Sequence, residues 1–127
     1  MLFRSHPAVV CDTGHNIGGM QYIVEQLKQQ DFDTLRIIIG MVNDKDISGV
    51  LALLPRDAVY YFTQASVKRA LPADTVKTEA ARFGLKGEAY PNVGTALKVA
   101  KAEASCRDFI FVGGSSYIVA DLLSLNS

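Results

Sequence analysis

A surplus of one charge is missing from this 127-residue chain: 13 Lys and Arg balance 13 Asp and Glu. A nucleic-acid binder needs excess cations to displace phosphate counterions, so no nucleic-acid partner is expected. Long apolar runs are missing as well. No window reaches the roughly 18 apolar residues of a membrane-crossing helix, so no membrane partner is expected either. Cysteine and histidine are scarce, with only Cys11, Cys106, His6 and His15 present. A zinc site wants more such ligands close together, and none is expected here. Both cysteines lie in or beside apolar runs and read as buried, reduced thiols. The opening MLFRSHPAVV has neither the apolar segment nor the small-residue cleavage pattern of a signal peptide, and a cytoplasmic location is the expectation.

The common nucleotide and hydrolase signatures are absent too. The chain has no G-x-x-x-x-G-K-[ST], no G-x-G-x-x-G after its first strand and no G-x-S-x-G elbow.

What is present is the composition of one globular domain, 49% hydrophobic and 20% charged, long enough to bury one sizeable core. Strands are expected at Ala8–Asp12, Leu35–Met41, Ala58–Thr63, Asp108–Gly113 and, more weakly, Gly87–Tyr90. AVVC, RIIIGMV and DFIFVGG are unbroken apolar runs, the pattern of strands covered on both faces. Helical stripes lie between and after them: Met20, Ile23, Val24 and Leu27; Ile47, Val50, Leu51 and Leu54, stopped by Pro55; Val76, Ala80 and Phe83, ended by Gly84; Val93, Ala96, Leu97 and Ala100; Ile118, Val119, Leu122 and Leu123. Five alternations of strand and helix argue an α/β fold with a largely parallel sheet.

Ligands of such sheets sit beyond the carboxyl ends of the strands. Those ends carry Asp12–Thr13–Gly14–His15–Asn16, then Asn43–Asp44–Lys45–Asp46, then Gln64, Ser66, Lys68 and Arg69, and last Gly113–Gly114–Ser115–Ser116. Each has an ordinary reading. Asn16 and Ser115 are suitable helix caps, and NDKD is a common turn composition. Gly113–Gly114 before Ser115 is also the pattern of an anion-binding nest at a helix start. Convergence on one rim favours a site over four unrelated loops.

In chain order these loops resemble the folylpolyglutamate synthases, including the bacterial bifunctional dihydrofolate synthases, of the Mur ligase family. VVCDTGHNIGG is similar to that family's D-G-A-H-N-P segment, with Thr13–Gly14 and Ile17 as departures. IIIGMVNDKDISGVLALL, TQASVKRALPADTV and DFIFVGGSSYIVADLL resemble its glycine followed by D-K-D, its threonine and R-A region, and its closing strand, G-S and helix. The resemblance covers residues 1–127 and implies the C-terminal, glutamate-ligase domain. The fold it implies is a Rossmann-like three-layer α/β domain, a mostly parallel sheet of five to six strands with helices on both faces.

The activity implied is ATP-dependent addition of L-glutamate to folate or dihydropteroate through an acyl phosphate. ATP and Mg would be bound mainly by an N-terminal ATPase domain that nothing in this sequence matches, so the chain reads as a fragment, inactive in isolation. By resemblance, Asp12 contacts ATP, while His15 and Ser115 bind glutamate. Asn16, Asp44, Lys45, Arg69 and Gly114 are further rim candidates, and no catalytic residue is assigned to this domain. The rival readings are a stand-alone α/β small-molecule-binding domain and a receiver-like regulatory domain. The latter wants a phosphoacceptor Asp after the third strand, where Thr63–Gln64 stands.

Overall fold

The structure is a computed structural model that describes residues 8–11, 21–22, 24–26, 33–42 and 47–125. Among them are five strands: β1 (Ala8–Cys11), β2 (Leu35–Ile39), β3 (Val59–Phe62), β4 (Gly87–Ala89) and β5 (Phe109–Gly113). Four helices accompany them: α1 (Ile47–Leu53), α2 (Ala73–Ala81), α3 (Val93–Glu103) and α4 (Ser116–Ser124). Residues 21–22 and 24–26 are helical as well. The strands stand in the order β1-β5-β2-β3-β4, and every pairing is parallel. The expected strands are therefore all found; β2 to β5 are each trimmed by a residue or two at their ends, and Asp12 lies outside the described residues.

The unbroken apolar runs are explained by burial on both faces. Ile37, Ile39, Tyr60, Phe62 and Phe111 pack with Val24, with Val50 and Leu51 of α1, and with Val76 and Ala80 of α2. Their neighbours Ile38, Tyr61, Ile110 and Val112 point the other way, onto Val93, Ala96, Leu97 and Ala100 of α3 and Ile118 and Leu122 of α4. The result is three layers. Each large apolar side chain buried this way stabilises the fold by roughly 1.5–3 kcal/mol.

Helix ends follow local chemistry. Asn92 opens α3 by accepting the Thr95 N–H at 2.8 Å. After α2, the Leu85 N–H bonds Ala80 O and the Gly84 N–H bonds Ala81 O, both at 3.2 Å. That pair of bonds is a Schellman end, and Gly84 takes the left-handed conformation it requires, at φ 78°. No helix among the described residues is long and apolar enough to cross a membrane.

The amino-terminal rim of the sheet is closed by a polar network. Arg36 Nε donates to Asp108 Oδ2 and its Nη1 to the Tyr61 hydroxyl, both at 2.9 Å. Tyr61 in turn donates to Glu103 Oε1 at 2.6 Å. Ser105 supplies its N–H and its hydroxyl to the two Asp108 oxygens, each at 3.0 Å. Burial would raise the Asp108 carboxyl, but the bonds from Ser105 and Arg36 outweigh it and hold it below the usual carboxylate range. One expectation is corrected here. Cys106 is exposed and Cys11 only half-buried, because Cys106 lies in the turn pinned by Ser105 and Asp108, ahead of the apolar run that starts at Phe109.

Candidate functional site

Five parallel strands bring five carboxyl ends to one rim, and the chain leaves that rim toward different faces. After β2 and β3 it turns to α1 and α2 on one face. After β4 and β5 it turns to α3 and α4 on the other. Neighbouring loops therefore diverge at β5/β2 and again at β3/β4. Divergences of this kind are where open α/β sheets form ligand crevices.

At the first divergence the strand ends approach closely because glycine carries no side chain. Gly114 sits at φ 102°. A Cβ there would lie 2.3 Å from Gly40 O and 2.7 Å from Ile39 Cγ1. A Cβ on Gly40 would lie 2.5 Å from Ile118 Cδ1 and 2.7 Å from Thr63 O. Two hydrogen bonds lock this arrangement: Gly40 N–H to Gly113 O at 3.3 Å, and Thr63 N–H to Ile39 O at 2.9 Å.

Ser115 then starts α4. It is 1% exposed, its backbone is extended, and its Oγ accepts the Ile118 N–H at 3.2 Å. The capping bond uses a lone pair and not the hydroxyl proton. A helix start of this kind presents backbone N–H groups and the positive end of a dipole, which suits a carboxylate or phosphate oxygen.

The second divergence holds a cleft of about 320 Å³ lined by Gln64, Ala73, Asp74, Ala89, Tyr90 and Pro91. It is less suited to an anion. Asp74 places a carboxylate in the first turn of α2, whereas α4 has no acidic residue in its first turn. Gln64 Oε1 already accepts the Ala73 N–H at 2.9 Å, doing what Pro72 cannot do as a cap.

Of the candidates named from sequence, Gly114 and Ser115 thus meet at the β5/β2 divergence. Arg69 stands exposed on the loop that follows β3, and that loop is tied to the end of β2 by a Leu71 N–H to Met41 O bond at 2.9 Å. Asp12, His15, Asn16, Asp44 and Lys45 lie outside the described residues. One contact escaped sequence reading. Gly40 appears there inside the expected strand Leu35–Met41 and as the glycine of the family resemblance, with nothing local to announce its close approach to Gly114. As for a metal, no group of three His, Cys, Asp or Glu among the described residues is placed to hold one. The described part of the rim offers donors for an anion rather than an oxygen cage for Mg.

Comparison with known proteins bears on the family and the fold. The family model for the Mur ligase glutamate-ligase domain matches residues 2–116. The chain belongs to that family. A probable bifunctional folylpolyglutamate synthase/dihydropteroate synthase of Haloferax volcanii is 30% identical over 118 residues, 92% of this chain and 14% of the relative. The E. coli FolC enzyme solved with DHPP and ADP superposes with a TM-score of 0.83 at 28% identity, over 93% of this chain and 28% of its own. A bifunctional folylpolyglutamate synthase/dihydrofolate synthase with Mn, AMPPNP and L-glutamate bound gives 0.83 at 27% identity, over 99% of this chain and 30% of its own. This Mur ligase glutamate-ligase domain therefore spans under a third of each of these relatives. Both the resemblance read from the four loops and the three-layer Rossmann-like fold are borne out.

Proposed function

We propose that this chain is the glutamate-side domain of an ATP-dependent ligase that adds L-glutamate to folate or dihydropteroate. In that reaction the substrate carboxylate takes the γ-phosphoryl group of ATP and ADP leaves. The glutamate amine then attacks the acyl carbon and phosphate departs. ATP and Mg are held mainly by an N-terminal ATPase domain, and closure of the two domains keeps water from the acyl phosphate. On this side, Gly114 lets an anion reach the backbone and the start of α4 supplies donors. Ser115 offers its hydroxyl proton to a glutamate carboxylate. His15 shares the glutamate and Asp12 the nucleotide, with Asn16, Asp44, Lys45 and Arg69 around them. By itself the chain is inactive.

The observation that carries this reading is the start of α4 at the β5/β2 divergence, reached through two glycines and free of acid in its first turn. Two similar structures hold the ligands concerned, one with DHPP and ADP, the other with Mn, AMPPNP and L-glutamate.

The test is an amide-resolved NMR titration of the chain with L-glutamate and then with ADP. Residues 113–118 should shift with weak affinity, on the order of millimolar. Ser115→Ala should weaken the glutamate response and lower stability by about 1 kcal/mol through loss of the cap. Ser115→Thr should retain the response. Shifts confined to the Gln64–Tyr90 cleft, or an unaltered response in Ser115→Ala, would defeat the assignment.

A further inference from the structure

The loop after β3 is held from three directions. Gln64 caps α2, Leu71 and Ala70 bond and bridge to Met41 and Val42 at the end of β2, and Ser66 reaches α4. That last contact is double. Asp121 Oδ2 accepts the Ser66 N–H and Asp121 Oδ1 accepts the Ser66 hydroxyl, each at 2.9 Å. An acid in the last turn of a helix opposes the dipole, so Asp121 is poorly placed for the helix alone. Two charge-assisted bonds across 55 residues of sequence offset that disadvantage. Asp121 stands six residues beyond Ser115, about 9 Å along the axis. One helix thus carries the N-cap at the anion-seeking rim and the anchor of the loop that bears Lys68 and Arg69, the two cations between β3 and α2.

We propose that Asp121 is a positioning residue: by clamping Ser66 to α4 it sets where the Lys68–Arg69 segment stands relative to Ser115. The ligand in this proposal is the glutamate of the reading above and rests on it, whereas the clamp itself does not.

The test uses the whole 127-residue chain as wild type, Asp121→Asn, Ser66→Ala and the double variant. Asn keeps the shape but removes the charge: its carbonyl can still accept the Ser66 N–H and its NH2 can donate to the Ser66 oxygen, so both bonds survive only as weaker, neutral ones. Exchange of the Ser66 amide in Asp121→Asn should speed up roughly threefold or more, as expected when a charge-assisted bond becomes a neutral one. Amides 67–70 should shift while the 113–116 amides of the free protein stay in place. The double variant should add little to either single one, the sign of a shared interaction. Titrated with L-glutamate, both single variants should need roughly three- to tenfold more ligand to move residues 113–116. Ser66→Ala covers the case in which Asp121→Asn fails to fold. Unchanged Ser66 exchange in Asp121→Asn, or additive effects in the double variant, would overturn the clamp. A wild-type response that both variants reproduce would overturn the positioning role. No wild-type response to glutamate would sink the glutamate reading instead, and exchange and additivity would then decide the clamp alone.

Discussion

Gly114→Ala isolates the feature on which the candidate site depends. Two costs arise at once. The residue sits at φ 102°, where a side chain strains the backbone by about 1–3 kcal/mol. Its Cβ would also stand 2.3 Å from Gly40 O and 2.7 Å from Ile39 Cγ1. The first of these atoms is backbone and cannot step aside as a rotamer can, so overpacking adds about 1–3 kcal/mol. Together the loss is about 2–6 kcal/mol, against a total stability of about 5–15 kcal/mol. A chain of 127 residues unfolds with an entropy of about 0.27 kcal/mol per degree, which turns that loss into a fall in Tm of about 7–22 °C.

Two other glycines calibrate the measurement. Gly84 is also at positive φ, 78°, but its Cβ would meet only the flexible Arg56 side chain, at 3.4 Å. Gly84→Ala should therefore lose about 1–2 kcal/mol, or about 4–7 °C. Gly94 lies in the first turn of α3, with Leu125 Cδ2 at 3.4 Å. Gly94→Ala should be neutral or gain up to about 1 kcal/mol from helix propensity. Thermal melts followed by far-ultraviolet circular dichroism at neutral pH give the ranking directly. A Gly114→Ala protein melting within about 2 °C of wild type, or above Gly84→Ala, would refute the close approach of β5 and β2.

Three further outcomes test the rest of the fold. Burial, and then the bond to Glu103, push the Tyr61 hydroxyl up to about 12. The fold thus prefers the protonated form, and stability should be intact below about pH 10 and fall by about 2–3 kcal/mol toward pH 12. Tyr60 moves in the same direction, so Tyr61→Phe should flatten this alkaline limb only in part, read from urea midpoints at about pH 8 and about pH 11. Asp108 is held below the usual carboxylate range, so its contribution is present above about pH 4 and is lost as pH falls through the depressed value. Asp108→Asn should cost about 2–4 kcal/mol at neutral pH and leave a shallower acid limb in urea unfolding. Asn92→Ala should remove the α3 cap and about 1 kcal/mol, seen as a drop of about 4 °C by calorimetry and restored by Asn92→Asp.

What could be read from sequence was local. The run Arg36–Ile39 is apolar through Ile37, Ile38 and Ile39 because helices cover both faces of β2, and that alone points to a parallel sheet. Gly84 and Ser115 announce a helix end and a helix start by residue type and position, and both are found there. What could not be read was long-range. Nothing in the order of residues says that Arg36 will meet Asp108, 72 positions away, or that Asp121 will hold Ser66. Gly40 lies inside the expected strand Leu35–Met41 and Gly114 in the expected nest before Ser115, yet what each allows is the close approach of the other. Cys106 was misjudged because apolar neighbours in sequence were read as apolar neighbours in space. The four-loop resemblance pointed to the family, which periodicity could not, since a family's loops keep their order even where no single motif is specific.

The two rims of the sheet divide the work in a way that follows from how each is satisfied. At the amino-terminal rim, Arg36, Tyr61, Glu103, Ser105 and Asp108 spend their polar atoms on one another, so that end contributes stability and offers little to a ligand. At the carboxyl-terminal rim, order comes from the absence of side chains at Gly40 and Gly114, which brings β5 and β2 together at the start of α4. On the proposed function, an anion held there by Lys68 and Arg69 would immobilise two long side chains, at a cost in rotamer entropy. The attraction is also modest, because a helix start contributes only about 0.3–1 kcal/mol toward an exposed charge, rising to about 2 kcal/mol where partly buried. Millimolar affinity already requires about 4 kcal/mol, so the helix end cannot hold an amino acid unaided. On the proposed function the remainder comes from groups brought to the same rim, and the Asp121–Ser66 contact ties the segment bearing Lys68 and Arg69 to the helix that carries Ser115.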